Sequence, residues 1–228
     1  MGPVTSEVSV SDQYTGTVEP GGPAARRTVP GARIVKLSVG PMDNNVYLVS
    51  DDAGRTLLID AANEADRVLD LARQVGGVEL IVTTHRHADH WQALATVRDG
   101  LAVPAVAGVN DAAGIDAPTD RTLSDGDTLT VGGLTVDVIE LVGHTPGSIA
   151  LALNPADGPA HLFTGDCLFP GGVGRTGDPA AFTSLLDGVE EKVFARYGDD
   201  TVVYPGHGKD TTLGAERPHL AEWRARGW

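Results

Sequence analysis

A single cysteine, Cys167, in a chain of 228 residues excludes an intrachain disulfide. Positive charge is also scarce: 17 lysines and arginines stand against 31 aspartates and glutamates, a net charge of −14. That balance argues against nucleic acid or an anionic membrane as partner, because both recruit a basic face. No apolar run approaches the roughly 18 residues that a membrane-spanning helix requires. No opening segment joins a basic start to an apolar core, so no signal peptide is expected and the cytoplasm is the expected compartment. Glycine, by contrast, is abundant at 29 residues, which implies many tight loops, and hydrophobic residues make up 41%, enough for a substantial core. A chain of this length predicts one large domain rather than two.

Residues 1–31 are rich in Ser, Thr, Gly and Pro and read as an irregular N-terminal arm, with a short strand near Tyr14 to Val18 and with Arg26-Arg27 as solvated charge. Residues 32–228 read as a single domain. Strands are predicted over Ile34 to Val39, Asn45 to Ser50 and Thr56 to Asp60, then a helix capped by Asn63 whose apolar positions Ala65, Val68, Leu69, Ala72 and Val75 have helical spacing. The run Val78 to Val82 is a buried strand, and a helix is predicted to begin at Trp91. After Ala105 to Ala107, hairpins follow at Thr128 to Val131, Leu134 to Leu141, Ser148 to Leu153 and His161 to Thr164. Asp178 caps a helix with Pro179 at its first position, Thr201 to Tyr204 is the last strand, and a terminal helix starts near Pro218. This order of hairpins and strand–helix–strand units predicts a mixed sheet with helices outside.

Between the strand at 78–82 and the following helix lies Thr83-Thr84-His85-Arg86-His87-Ala88-Asp89-His90-Trp91, with four potential metal ligands in six residues. The C-terminal edge of a sheet is where open α/β folds place ligand sites. In an extended loop His85 and His87 share a side and can grip one cation, while Asp89 and His90 point elsewhere and can grip another. Imidazole with carboxylate suits Zn, Fe, Mn or Ni rather than Ca or Mg. Later strands also end in ligand-type residues: His144, then Asp166, then His207. The set divides into two cages, His85/His87/His144 and Asp89/His90/His207, with Asp166 lending one oxygen to each. Two ions about 3.5–4 Å apart would lower the pKa of a bridging water, so that hydroxide attacks a carbonyl carbon or a phosphoryl phosphorus without any Ser or Cys nucleophile.

His85-x-His87-x-Asp89-His90, followed by Gly143-His144-Thr145-Pro146-Gly147, Thr164-Gly165-Asp166 and Pro205-Gly206-His207, resembles the metallo-β-lactamase superfamily over about Ile34 to His207. The resemblance implies an α/β (α+β) fold, an αβ/βα four-layer sandwich of two mixed β-sheets packed face to face with helices outside and metals at one edge. It implies metal ligands His85, His87, Asp89, His90, His144, Asp166 and His207, catalytic roles for Asp89 and Asp166, and two divalent ions, Zn or else Fe or Mn. True β-lactamases of the superfamily typically lack the bridging aspartate, which is present here. Lactone-hydrolysing members usually carry a tyrosine shortly after that aspartate, a neighbourhood in which Phe169 stands here, and nuclease members are disfavoured by the charge. Thr164 to Phe169 and Gly172-Val173-Gly174-Arg175 look most like glyoxalase II-like thioester hydrolases and the related persulfide dioxygenases, which share both motifs. The expected activity is therefore cleavage of a thioester or related acyl bond of a small molecule by a metal-bridging hydroxide. The alternative is a mononuclear Fe(II) persulfide dioxygenase using His85, His144 and Asp166.

Arg175 and Phe169 are the candidate substrate-binding residues, Arg175 for a carboxylate or phosphate. Asp60 is expected to serve helix entry rather than to orient a ligand histidine. Trp91 is expected in the core, His161 as a structural histidine, His219 at the surface and Cys167 as a small buried residue.

Overall fold

The computed structural model describes residues 7–227. Eight strands form the first sheet in sequential order: β1 (Val10–Ser11), β2 (Ala24–Val29), β3 (Ala32–Val39), β4 (Asn44–Asp51), β5 (Thr56–Ile59), β6 (Leu80–Thr83), β7 (Ala105–Gly108) and β8 (Arg121–Leu123). It is mixed: β2 to β5 pair antiparallel, and β5 to β8 pair parallel. The parallel crossovers are made by α1 (Ala65–Gln74) and α2 (Leu94–Leu101). A second sheet contains β9 (Thr128–Val131), β10 (Leu134–Glu140), β11 (Ile149–Leu153) and β12 (His161–Gly165). The chain then forms a small hairpin, β13 (Leu168–Phe169) with β14 (Gly172–Val173), and helix α3 (Pro179–Val189). β15 (Val202–Pro205) returns parallel to β12, and β16 (Thr211–Thr212) closes that edge before α4 (Leu213–Glu216) and α5 (Leu220–Arg226).

Three apolar layers explain the stacking. Alternate residues of a strand face opposite sides, and both faces of β3 and β4 are covered, so these strands read as almost continuous apolar runs. Ile34, Val49, Leu57 and Val82 of the first sheet meet Leu134, Val136, Leu151 and Phe163 of the second between the sheets. Val35, Leu37, Leu48 and Ile81 face outward onto Val68 and Leu71 of α1 and onto Leu94 and Val97 of α2. Ala150, Leu162 and Val203 face Phe182, Leu185 and Val189 of α3 and Trp223 of α5. The result is the expected helix–sheet–sheet–helix sandwich. Among the described residues no helix is long and apolar enough to cross a membrane.

Several local expectations change. The irregular arm predicted over residues 1–31 is corrected for Ala24–Val29, which is a full strand paired with β3, and for Val10–Ser11, which pairs with its start; residues 1–6 lie outside the described residues. β2 lacks an apolar signature because it lies near the sheet edge. Arg26 reaches solvent and pairs with Asp12 at 2.7 Å, whereas Arg27 lies over the Tyr14 ring and donates to Tyr204 Oη at 3.4 Å rather than being solvated. Tyr14 to Val18 is irregular. The helix expected from Trp91 starts at Leu94, after a short 3₁₀ turn over Ala88–His90, and half-buried Trp91 packs against the apolar layer between the first sheet and helices α1 and α2. Asp178 caps α3 as expected, its Oδ1 accepting from the backbone N–H groups of Ala180 and Ala181 at 2.9 Å.

His161 is structural. It is buried, with Nδ1 at 2.9 Å from Tyr204 Oη. Burial and the Arg27 guanidinium push its pKa down from 6.5 to about 4. The unfolded chain therefore binds a proton that the folded chain refuses between pH 6.5 and 4. Stability is lost as pH falls through that window, and the loss levels off below pH 4, at up to about 3 kcal/mol from this group. His161→Gln is expected to flatten this part of the pH–stability curve, read as the difference between wild-type and variant urea-unfolding free energies at pH 7 and pH 4.5.

Candidate metal centre

The centre lies at one edge of the sandwich, where strands of both sheets end. The loop after β6 carries His85 in a bend and His87 in extended backbone, and the 3₁₀ turn brings round Asp89 and His90. His144 follows β10, Asp166 follows β12 and His207 follows β15. Ligand-type atoms of three groups lie within 4.8 Å of one another: His85/His87/His144, His85/His90/Asp166 and Asp89/His90/His207. All seven candidate ligands named from the sequence thus meet in one place.

The spacing between these atoms fits a metal better than mutual hydrogen bonding. His85 Nε2 is 3.2 Å from His87 Nδ1, and His90 Nε2 is 3.1 Å from His207 Nε2. Asp89 Oδ2 lies 3.3 Å from His207 Nε2, and the two Asp166 oxygens lie 3.4 Å from His90 and His207. With metal–nitrogen bonds near 2.0–2.1 Å, neighbouring ligands of one ion sit about 3.0–3.4 Å apart. Asp166 Oδ1 and His144 Nε2 are moreover buried without a hydrogen bond. Buried polar atoms are normally satisfied, so two orphans, each lying among other ligand-type atoms, mark where a cation fits.

Groups behind the ligands fix their tautomers. His144 Nδ1 donates to the Arg175 carbonyl at 2.7 Å and His207 Nδ1 to the Met42 carbonyl at 2.8 Å, which leaves each Nε2 facing inward. His90 Nδ1 is 2.8 Å from Asp60 Oδ2. Thr84 Oγ1 donates to the same Asp60 oxygen at 2.8 Å and lies 3.1 Å from His85 Nδ1. Asp89 Oδ2 accepts from Asn44 Nδ2 at 2.8 Å. The expectation that Asp60 merely serves helix entry is therefore corrected. Asp60 is buried, adopts a left-handed backbone (φ 57°) and supports two histidines of the centre. A non-glycine residue held in that region next to a site is strain retained by its surroundings.

Asp111 plays the matching part for the other loop pair. Fully buried, it accepts from the Arg86 N–H at 3.0 Å, the Gly147 N–H at 2.9 Å and the Thr145 hydroxyl, which bonds the His85–His90 loop to the loop carrying His144. Sequence reasoning passed over Asp111, Asn44 and Asn45. The paired amides at the start of a strand were the one visible signal. Gly206 shows how tight the centre is: a Cβ there would come within 2.3 Å of Asp166 Oδ1 and 2.7 Å of His90 Cε1.

The two halves differ electrostatically. Burial, with help from His90, holds His85 well below the ordinary imidazole value, and burial and His144 lower His87, so lone pairs are available there. At His90 burial acts downward, but the Asp60 and Asp166 carboxylates outweigh it and raise the pKa to about 10. At His207 burial is likewise outweighed by Asp166 and Asp89, giving about 10. Burial acts to raise Asp89 and Asp166, yet His207 together with Asn44 lowers the first, and His207 together with His90 lowers the second. In this half the imidazoles hold protons against ionised carboxylates, where a cation would otherwise sit. Of the candidate substrate residues, half-buried Phe169 lies 6.4 Å ring to ring from His207, and Arg175 is exposed while its carbonyl holds His144.

The model of the metallo-beta-lactamase superfamily matches residues 39–207, and the chain belongs to that superfamily. A hydroxyacylglutathione hydrolase of Ruegeria pomeroyi is 36% identical over 172 residues, covering 72% of this chain and 62% of its own length. The chain thus spans less than two thirds of that relative. The hydroxyacylglutathione hydrolase GloC of Haemophilus influenzae is 28% identical over 202 residues, 79% of this chain and 93% of its own. Among solved structures, that of TTHA1623 in a di-iron-bound form is 31% identical with a TM-score of 0.62, over 80% of this chain and 96% of that one.

Partners behind a metal-ligating histidine typically contribute 10–100-fold in metal affinity. Asp60→Asn is expected to weaken metal binding by about that factor, measured by competition with a chromophoric chelator. An unchanged affinity would show that Asp60 does not support the centre.

Proposed function

We propose that the chain is a dinuclear metallohydrolase that cleaves a thioester or related acyl bond in a small molecule in the cytoplasm. The observation that carries this reading is the second half of the centre. Asp89, His90 and His207 converge on one point, and each has its own support, from Asn44, Asp60 and Met42. A mononuclear dioxygenase built on His85, His144 and Asp166 would leave that half without a use. In the proposed enzyme His85, His87 and His144 hold one ion, Asp89, His90 and His207 hold the other, and Asp166 gives one oxygen to each. Zinc suits this donor set, and iron or manganese is accepted by the same ligands. Two such ions, when bound, would lower the pKa of a bound water toward neutrality and polarise the scissile carbonyl.

The remaining roles belong to the chain itself. Asp89 and Asp166 stay ionised against the adjacent imidazoles, Phe169 packs against the substrate beside His207, and exposed Arg175 receives a carboxylate or phosphate. The relatives named as hydroxyacylglutathione hydrolases support the acyl-thiol class. Because the chain spans less than two thirds of the first of them, glutathione itself is not part of the proposal.

Protein purified without added metal is expected to hold two ions per chain by elemental analysis and to hydrolyse members of an acyl-thioester panel. Asp89→Ala is expected to lower that hydrolysis by more than about 100-fold, since a lost ligand should exceed the loss of an outer partner. One iron per chain, with oxygen uptake on a persulfide, would replace this reading with the dioxygenase. Full hydrolysis by the Asp89 variant would refute the two-ion mechanism.

A further inference from the structure

Lys36 is completely buried. It alternates with Ala32 and Ile34 on the face of β3 that looks toward the second sheet, and it sits opposite Tyr47 of β4. A buried ammonium is costly unless every donor is met. Here all three are met: Gly16 O at 2.9 Å, Gly208 O at 2.7 Å and Asp210 Oδ1 at 2.7 Å. The second Asp210 oxygen accepts from Tyr14 Oη at 2.6 Å, and the Asp210 N–H donates to Gly16 O at 3.0 Å. One ammonium therefore joins the N-terminal segment, strand β3 and the segment that follows His207.

The backbone on either side of His207 is held from the same face. Asn45 Nδ2 donates to Pro205 O and to Gly208 O, both at 2.9 Å, and Tyr47 Oη donates to Pro205 O at 2.7 Å. The Asn45 N–H donates to Gly206 O at 2.7 Å. Carbonyls before and after His207 are thus fixed by side chains of the opposite sheet, with Lys36 beneath the last of them. A buried ion pair is a poor source of net stability, since apolar residues of similar volume serve as well or better. What it supplies is direction, here at the Gly208 carbonyl.

We propose that Lys36 is a positioning residue for the Asp89/His90/His207 half of the centre, and that Tyr14 and Gly16 complete its setting. Both lie outside residues 39–207, the region matched by the family model. The N-terminal segment is in this way a working part of the metal centre, acting through the Lys36–Asp210 pair on the placement of His207. The proposal rests on the two-ion reading given above.

The test is a cobalt(II) titration of the full chain, followed by visible absorbance and equilibrium dialysis, on wild type, Lys36→Met and Tyr14→Phe. Circular dichroism melts report folding. Wild type is expected to bind two ions in separable steps. Lys36→Met should keep the first affinity and weaken the second by about 10–100-fold, as for other groups behind a ligand. Tyr14→Phe keeps the ion pair and should weaken the second step by about fivefold, one hydrogen bond's worth. Should Lys36→Met fail to fold, Tyr14→Phe decides alone. Unchanged second-step affinity in the folded variants, or equal weakening of both steps, overturns the proposal and leaves the two-ion reading standing. Wild type that binds a single ion overturns that reading and the proposal together.

Discussion

The hydrogen bond between His90 and the buried carboxylate of Asp60 is the contact on which the geometry of the centre depends. Asp60 ends β5 with its backbone turned left-handed, which aims the carboxylate across the sheet edge at the next strand end. There it also accepts from the N–H and hydroxyl of Thr84, the residue before His85. One side chain therefore sets where the His85–His90 loop leaves β6 and how the imidazole at its far end is rotated. Asp111 fixes the same loop from the other side through Arg86. Buried carboxylates are expensive to place, and both are fully used, as the cost of an unpaired one requires.

This arrangement explains why groups that disfavour one another's company can stay together. Imidazole nitrogens 3.1–3.2 Å apart do not collect by their own attraction. The strands that carry them are positioned by three apolar layers, and the loops by hydrogen bonds behind the ligands. The sandwich provides the framework, and hydrogen bonds behind the ligands set the loops at its edge.

Much of this could be read from residues alone. His85 to His90 announces itself because four ligand-type residues in six positions seldom serve another purpose. His144, Asp166 and His207 follow because each closes a recognisable apolar run. The layers follow from period-two apolar strands interrupted by amphipathic helices. What could not be read is long-range. Asp60 and Asp111 look like ordinary turn residues, because their partners lie 24 to 36 positions away in sequence. Lys36 sits in an apolar strand as an apparent break in pattern, and its partners lie 20, 172 and 174 positions away. β2 was hidden because a strand near a sheet edge keeps charged residues on its wet side. The helix after His90 starts late because the loop completes a 3₁₀ turn first, and apolar spacing alone does not register such a turn.

The division of the chain between the two sheets has a further consequence. Strands β1 to β8 occupy residues 10–123 and β9 to β16 occupy residues 128–212, so the halves are contiguous in sequence and joined by one short connection. The first contributes His85, His87, Asp89 and His90, and the second His144, Asp166 and His207. Neither half carries a complete set for either of the two proposed ions, and Asp166 could reach both only when the sheets are docked. Any ion that prefers the assembled centre binds the closed sandwich and not its separated leaves, and so adds its binding energy to the closure of the fold. A bound metal would in this sense be a rivet between two structural halves as well as a reagent.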